Sequence, residues 1–354
     1  MTRWLALSVA LGFGCRAGRP STAARPGAAT PRPALRWLKG QTHLHSNRSG
    51  DSRTPPEEVV RWYARRGFDF LVFTDHDHVT HARGEGAMLV FPGVELTQNL
   101  RRCEPEVPGH PCLLHMNALF VDAPEGPVPW PATTGDARLA RYARALGVAR
   151  GMGGLTQLNH PNFHWAADAG LVTELARRGV TLVEIANRSS GCANEGDATH
   201  PSTEALWDAA LREGVTLWGV ATDDAHHYDD AAQARAAGEE VDVGDLGWVM
   251  VHASRDRASV RSALERGDFY ASTGVALARL EVTDAAVELW VADGAPEPVR
   301  VEWVVDGARQ APVRAREARF ARDGLRPGGY VRAVVTDGRG AQAWTQPVRR
   351  AVGG

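Results

Sequence analysis

The chain has 354 residues, 44% of them hydrophobic and 23% charged, with a formal net charge of −2 and a pI near 6.7. That is room for one large domain and one small one around an ordinary core. It also excludes nucleic acid as a partner on charge grounds, because no dense basic run exists to displace counterions from a phosphate backbone.

Residues 1–15 read as a signal peptide: Arg3, then the apolar stretch Trp4 to Phe13, too short to cross a bilayer as a helix. The segment Leu11-Gly12-Phe13-Gly14-Cys15 is similar to a lipoprotein cleavage site with Cys15 as the lipidated residue, and a plain signal peptide is the alternative. Residues 16–35, rich in Ala, Pro, Arg, Gly, Ser and Thr, read as a disordered tether. The expected location is therefore the periplasm or outer surface of a bacterial envelope, with membrane contact only through a lipid anchor at Cys15. In an exported protein Cys103 and Cys112 can close a small loop as a disulfide, and Cys192 is left as a loop thiol.

From residue 36 to about 275 short apolar runs alternate with helical patterns. Gln41-Thr42-His43-Leu44-His45 puts two imidazoles at i and i+2. Thr54-Pro55-Pro56-Glu57 reads as a capping box opening a helix that carries Val59, Trp62 and Tyr63 inward and stops at Gly67. Phe70–Phe73 delivers Thr74-Asp75-His76-Asp77; Met88–Phe91 delivers Gly93-Val94-Glu95; Leu113–Phe120 carries His115; Leu155–Leu158 delivers Asn159-His160-Pro161; Val180–Ile185 precedes Asn187-Arg188-Ser189; Leu217–Ala221 precedes Thr222-Asp223-Asp224-Ala225-His226. Strand–helix repetition with a polar motif after nearly every strand predicts an α/β barrel, with an open doubly wound sheet as runner-up. After residue 276 short alternating segments separated by Asp-Gly turns predict a small Ig-like β-sandwich over 276–354.

Imidazoles and carboxylates together suit Zn, Mn or Fe. The candidate ligands are His43, His45, Asp51, His76, Glu95, His115, His160, Asp224 and His226. One ion needs about four to six donors, so the set predicts two or three divalent ions. Asp224 is preferred to Asp223 because Asp224-Ala225-His226 repeats the i, i+2 spacing. Asp75, Asp77 and Asp223 are expected behind the ligands, orienting imidazoles. His78, His81, His110, His164, His200, His227 and His252 lack a strand-end context and read as ordinary surface histidines, with His78, His164 and His227 nearest the rim.

The set HxH, Asp51, TDH, GVE, His115, NHP and DDAH resembles the PHP (polymerase and histidinol phosphatase) superfamily over residues of about 38 to 275, including Gly267-Asp268-Phe269-Tyr270-Ala271-Ser272-Thr273-Gly274. The exported arrangement with a C-terminal β-domain looks like its carbaryl-hydrolase-like branch. The resemblance implies a distorted (β/α)7 TIM-like barrel and a trinuclear site. One metal would take His43, His45, Glu95 and Asp224; a second Glu95, His115 and His160; a third Asp51, His76 and His226. It implies hydrolysis of a small-molecule ester by a metal-bridging hydroxide, a phosphoester first, with a carboxylester, amide or carbamate as the alternative. A non-catalytic metal-binding envelope lipoprotein is the third reading. His226, His160 or Asp223 is the expected proton donor, and Arg188, then Arg48, the expected contact for a substrate anion.

Overall fold

The computed structural model describes Met1, residues 34–131 and residues 137–351. The expected signal peptide with Cys15, and the tether up to residue 33, lie outside the described residues. The described residues from 34 onward form one compact unit.

The closed barrel does not form. The described residues are richer in strand (32%) than in helix (20%), where a (β/α)7 barrel wrapped by its helices has the reverse. Its core strands lie in two separate sheets. One runs Leu89–Phe91, Phe70–Val72, Arg36–Gln41, Trp248–Ala253, Phe269–Ser272, and on into the C-terminal strands; the other runs Gly93–Leu100, Cys112–Leu119, Leu155–Leu158, Leu182–Asn187, Trp218–Thr222. Among the described residues, the backbone pairing between the two sheets is limited to the single bridges Leu44 to Ala225 and His76 to Glu95. The ladders are also mixed. Arg36–Gln41 pairs antiparallel with Trp248–Ala253, and Gly93–Leu100 antiparallel with Cys112–Leu119. The reason lies in connection length. A parallel return needs a crossover of about a dozen residues or more, usually a helix, and the segment 101–111 is too short to supply one, so the chain turns back as a hairpin. Its base is closed by the Cys103–Cys112 disulfide.

Six α-helices are described. Helix α1 (Pro56–Ala64) buries Val59, Val60, Trp62 and Tyr63 on one face, as its spacing requires. Its N-cap is Pro55 with no side-chain cap, so the expected capping box is absent; Pro56 at the first helical position starts it instead. Helix α4 (Thr203–Arg212) is capped by Ser202, which accepts from the Ala205 amide, and buries Leu206, Trp207, Ala210 and Leu211. No helix among the described residues is long and apolar enough to cross a membrane.

The C-terminal segment is layered, but its strands do not form the separate small sandwich expected over 276–354. Leu277–Val282, Ala286–Val291 and Glu317–Ala321 make a three-stranded sheet, whereas Arg300–Val305, Tyr330–Thr336 and Gln342–Thr345 extend the large sheet through the antiparallel pairing of Phe269–Ser272 with Gln342–Thr345. The shared core mixes Val287, Leu289, Val301, Trp303 and Val335 with Tyr270, and Trp37 and Met250 pack against it. Fully buried Arg332 binds Asp208 and Glu204 of α4 at 2.6 Å each, a second tie. Deleting residues 277–354 would bare the edge of Phe269–Ser272 and leave those acids unpaired. The truncated chain is expected to give no cooperative melt by circular dichroism. A sharp thermal transition in the truncated protein would show that the segment is dispensable.

Candidate metal centre

Most ligands lie just beyond a strand end, while Glu95 and His115 lie within paired strands and Asp51 in a loop. The strand Arg36–Gln41 stops before the two leading histidines, and the Gln41 side chain shapes the turn. Its Oε1 accepts from the amides of Thr42 and His43 while its Nε2 donates to the Gly247 carbonyl. Glu95 lies inside Gly93–Leu100 and His115 on its hairpin partner. His160 and Asp224 follow Leu155–Leu158 and Trp218–Thr222, both with left-handed backbone at φ 21° and 52°.

All nine expected ligands converge. Their ligand atoms fall into three adjoining groups: His43, His45, Glu95 and Asp224; Glu95, His115 and His160; and His45, Asp51, His76 and His226. Within each group these atoms lie within 4.8 Å of one another, close to the spread of donors about 2.0–2.2 Å from a common ion. Glu95 belongs to two groups and so does His45. Asp224 Oδ1 is 3.1 Å from Nε2 of both His43 and His45. The first two groups are buried; the third opens outward through half-exposed His76 and His226 and exposed Asp51.

The groups behind the ligands fix which nitrogen faces inward. His43 Nδ1–H donates to Glu184 at 2.6 Å. His45 Nδ1 pairs with Ser49 Oγ at 2.7 Å and His76 Nδ1 with Thr97 Oγ1 at 2.7 Å. His226 Nδ1–H donates to the Asp224 carbonyl at 2.9 Å, and His115 Nε2–H to Asn99 at 2.9 Å. Each leaves the opposite nitrogen for an ion. Two buried atoms, His43 Nε2 and Glu95 Oε2, make no well-formed hydrogen bond, although they lie 3.1 Å from Asp224 Oδ1 and 2.9 Å from His76 Nδ1 in this same cluster. Orphaned buried polar atoms facing one another are costly in a folded protein, and an ion between them removes the cost. The residues therefore fit divalent metal.

Several expected roles are corrected. Asp223 does not reach the ligands or the cavity. Its carboxylate accepts from the Tyr63 hydroxyl and from the amides of Asp245, Leu246 and Gly247, bracing a loop, and burial pushes it up to about 6. Asp75 accepts from Ser46 and Thr80, and Asp77 from Thr97 and Trp130, so neither orients an imidazole. Arg188 lines a different cavity, beside Glu204, Arg309 and Arg339, and Arg48 sits 3.5 Å from Glu125 at the surface. His226 stands in the outer ligand group.

The sequence reading missed Glu184. It is wholly buried in Leu182–Asn187 and accepts from His43, Gln157, Thr222, the His160 amide and Asn187. Its signal was a lone charge between apolar strand neighbours. Asn159, which donates to Glu95 at 2.7 Å, was visible only as part of its motif.

A cavity of about 500 Å3 opens over the groups, walled by Leu113, Phe163, His164 and Cys192 and rimmed by Ser189, Ser190, Glu240 and Asp242; none of its lining residues is a lysine or arginine. Burial opposes charge on the inner imidazoles, but carboxylates prevail at several. Asp224, Glu184 and Glu95 hold His43 well above the usual histidine range; Glu95 and Asp51 do so for His76; His160 and His226 are also raised. Burial and the neighbouring His226 keep His45 down, at about 4. Without metal the cluster thus holds protons at neutral pH, and metal must displace them. Affinity is expected to rise with pH, with protons released on binding, measurable by calorimetry in buffers of different ionisation enthalpy. Binding with no proton release would contradict these assignments. The stability that the raised histidines lend the metal-free protein is present in full below their ordinary value near 6.5 and is lost as pH rises through the raised one. The metal-free form should therefore weaken on the alkaline side.

No protein-family model matches this sequence, and no curated protein is significantly similar to it. What the fold and site define is a mixed α/β protein with buried His, Glu and Asp groups able to hold metal ions.

Proposed function

We propose that this chain is a metal-dependent hydrolase acting on a small-molecule ester, a phosphoester first. The observation that carries the reading is the sharing of Glu95 and His45 among three adjoining ligand groups on the floor of an open cavity. The ligand motifs still resemble those of the PHP superfamily, now without the closed barrel that the resemblance implies. Bound there, divalent ions would supply Lewis-acid polarisation and a water acidic enough to ionise near neutral pH.

The chain's own residues do the rest. Glu184, Ser49, Thr97 and Asn99 hold four ligand imidazoles by their outer nitrogens, so the inner ones need no reorganisation. Leu113 and Phe163 make an apolar wall against one side of the substrate. The number of ions bound sets which ester the charge suits. Three divalent ions against the carboxylates of Asp51, Glu95 and Asp224 leave three positive charges, which hydroxide and a phosphomonoester dianion balance. Two ions leave one, which hydroxide alone balances, and an uncharged carboxylester or carbamate then fits. That second reading is favoured by the absence of any lysine or arginine from the cavity lining. The sequence of residues 1–15 and the Cys103–Cys112 disulfide support an exported protein.

The test is hydrolysis by the full chain, loaded with Mn or Zn, of a phosphomonoester, a phosphodiester, a carboxylester and an aryl carbamate bearing one chromophore. Preference for the phosphoesters is expected. Preference for the carboxylester or carbamate moves the chain to the second reading, and no turnover on any of them rejects the hydrolase reading.

A further inference from the structure

The hydrolase reading lacks a proton donor for the departing oxygen, and this inference rests on that reading. The expected donors are otherwise engaged. Asp223 is turned away and fully bonded, His160 stands in the ligand group with Glu95 and His115, and both His226 nitrogens are committed, one to the Asp224 carbonyl and one to the outer ligand group. Cys192 donates to Asn187, and Glu240 and Asp242 are carboxylate acceptors. His164 remains. It lines the cavity, belongs to no ligand group, and among the described residues its Nε2 has no hydrogen-bond partner.

Its backbone is unusual. His164 and Trp165 are consecutive non-glycine residues at φ 51° and 56°, a region that bulky side chains avoid unless their surroundings impose it. Here the surroundings do. Trp165 stacks on His200 with ring centroids 4.0 Å apart and planes 5° from parallel. Buried Arg138 donates to the carbonyls of Trp165 and Ala166 at 3.3 and 3.0 Å. These contacts fix the turn that carries His164 along the cavity wall. Behind His164 stands His110, its Nδ1 3.5 Å from the Nδ1 of His164, presented by the hairpin loop whose base the Cys103–Cys112 disulfide closes.

The geometry points to His164 as the residue that protonates the leaving group, with His110 as its positioning residue. When the pair carries one shared positive charge, His110 Nδ1–H donates to Nδ1 of His164, which leaves a proton on His164 Nε2. The attacking hydroxide forms its bond to phosphorus or carbonyl carbon. The bond to the leaving oxygen breaks with its electron pair on that oxygen, which takes the Nε2 proton. The Nδ1 proton passes from His110 to His164, and both rings end neutral. Burial and the nearby His110 and His160 keep His164 below the ordinary histidine range, which makes its cation the stronger acid.

The test compares kcat/KM for two esters of one acid, with a nitrophenol and an alkyl alcohol as leaving groups, in the metal-loaded full chain. His164→Asn is chosen because asparagine tolerates a left-handed backbone. It is expected to lose about 10²- to 10⁴-fold on the alkyl ester and less than about tenfold on the nitrophenyl ester, which needs no proton. His110→Asn, which leaves the strained residue in place, should show the same bias to a smaller degree and carries the test if His164→Asn does not fold. Equal losses on both esters, no loss, or loss of bound metal would overturn the assignment while the wild type's turnover kept the hydrolase reading. A wild type inactive on every ester would overturn both.

Discussion

Glu95→Gln is expected to strip the cluster of metal and abolish turnover. Glu95 is wholly buried, its Oε1 lies 3.3 Å from His43 and 3.1 Å from His115, and its Oε2 lies 2.9 Å from His76, so one side chain touches imidazoles of all three groups. Glutamine keeps the shape but removes the charge and turns one acceptor into a donor facing imidazole nitrogens. Removing a group one layer behind a metal typically costs about 10- to 100-fold in affinity or activity, and a shared ligand should exceed that. The thermal stabilisation that added Mn or Zn gives the wild type should vanish in the variant as well, because a ligand stabilises only the state that binds it. Both are read by metal analysis and a melt with and without added ion. A variant with full metal content and activity would remove Glu95 from the site.

Glu184→Leu should be the more damaging change to the fold. Its Oε1 accepts from His43, Gln157 and Thr222, and its Oε2 from the His160 amide and Asn187. Leucine leaves these donors buried without partners, and breaking a buried charged network by removing one member costs about 3–5 kcal/mol. His43 also loses one of the carboxylates that hold it above its ordinary range. Denaturant unfolding measures the loss. A change under about 1 kcal/mol would mean that water replaces the carboxylate, since surface substitutions fall in that range.

Most of the ligands were legible because they sit in short polar motifs after apolar runs, a local pattern that needs no knowledge of topology, whereas His115 lies within such a run and Asp51 follows a polar loop. His43, His76, Glu95, His160 and Asp224 come from different strands, yet each announces itself. What was not legible depends on distance in space. Asp223 stands next to a ligand in sequence, but it turns to the loop at Asp245–Gly247. Glu184 is far from every ligand in sequence and meets His43 across 141 positions. The barrel expectation failed on connection length: the run from Leu100 to Cys112 reads as a break between strands, and only its shortness forces the antiparallel hairpin. The C-terminal strands were visible as strands, but nothing in their alternation says that Gln342–Thr345 would pair with Phe269–Ser272 and merge two expected domains into one sheet.

The measurement closest to the central claim is the metal content of the purified full chain after equilibration with excess Zn or Mn and removal of free ion. Two or three ions per chain are expected in the wild type, fewer in Glu95→Gln, with turnover that disappears on chelation and returns with metal. Less than one ion per chain, or turnover unaffected by chelation, would contradict it.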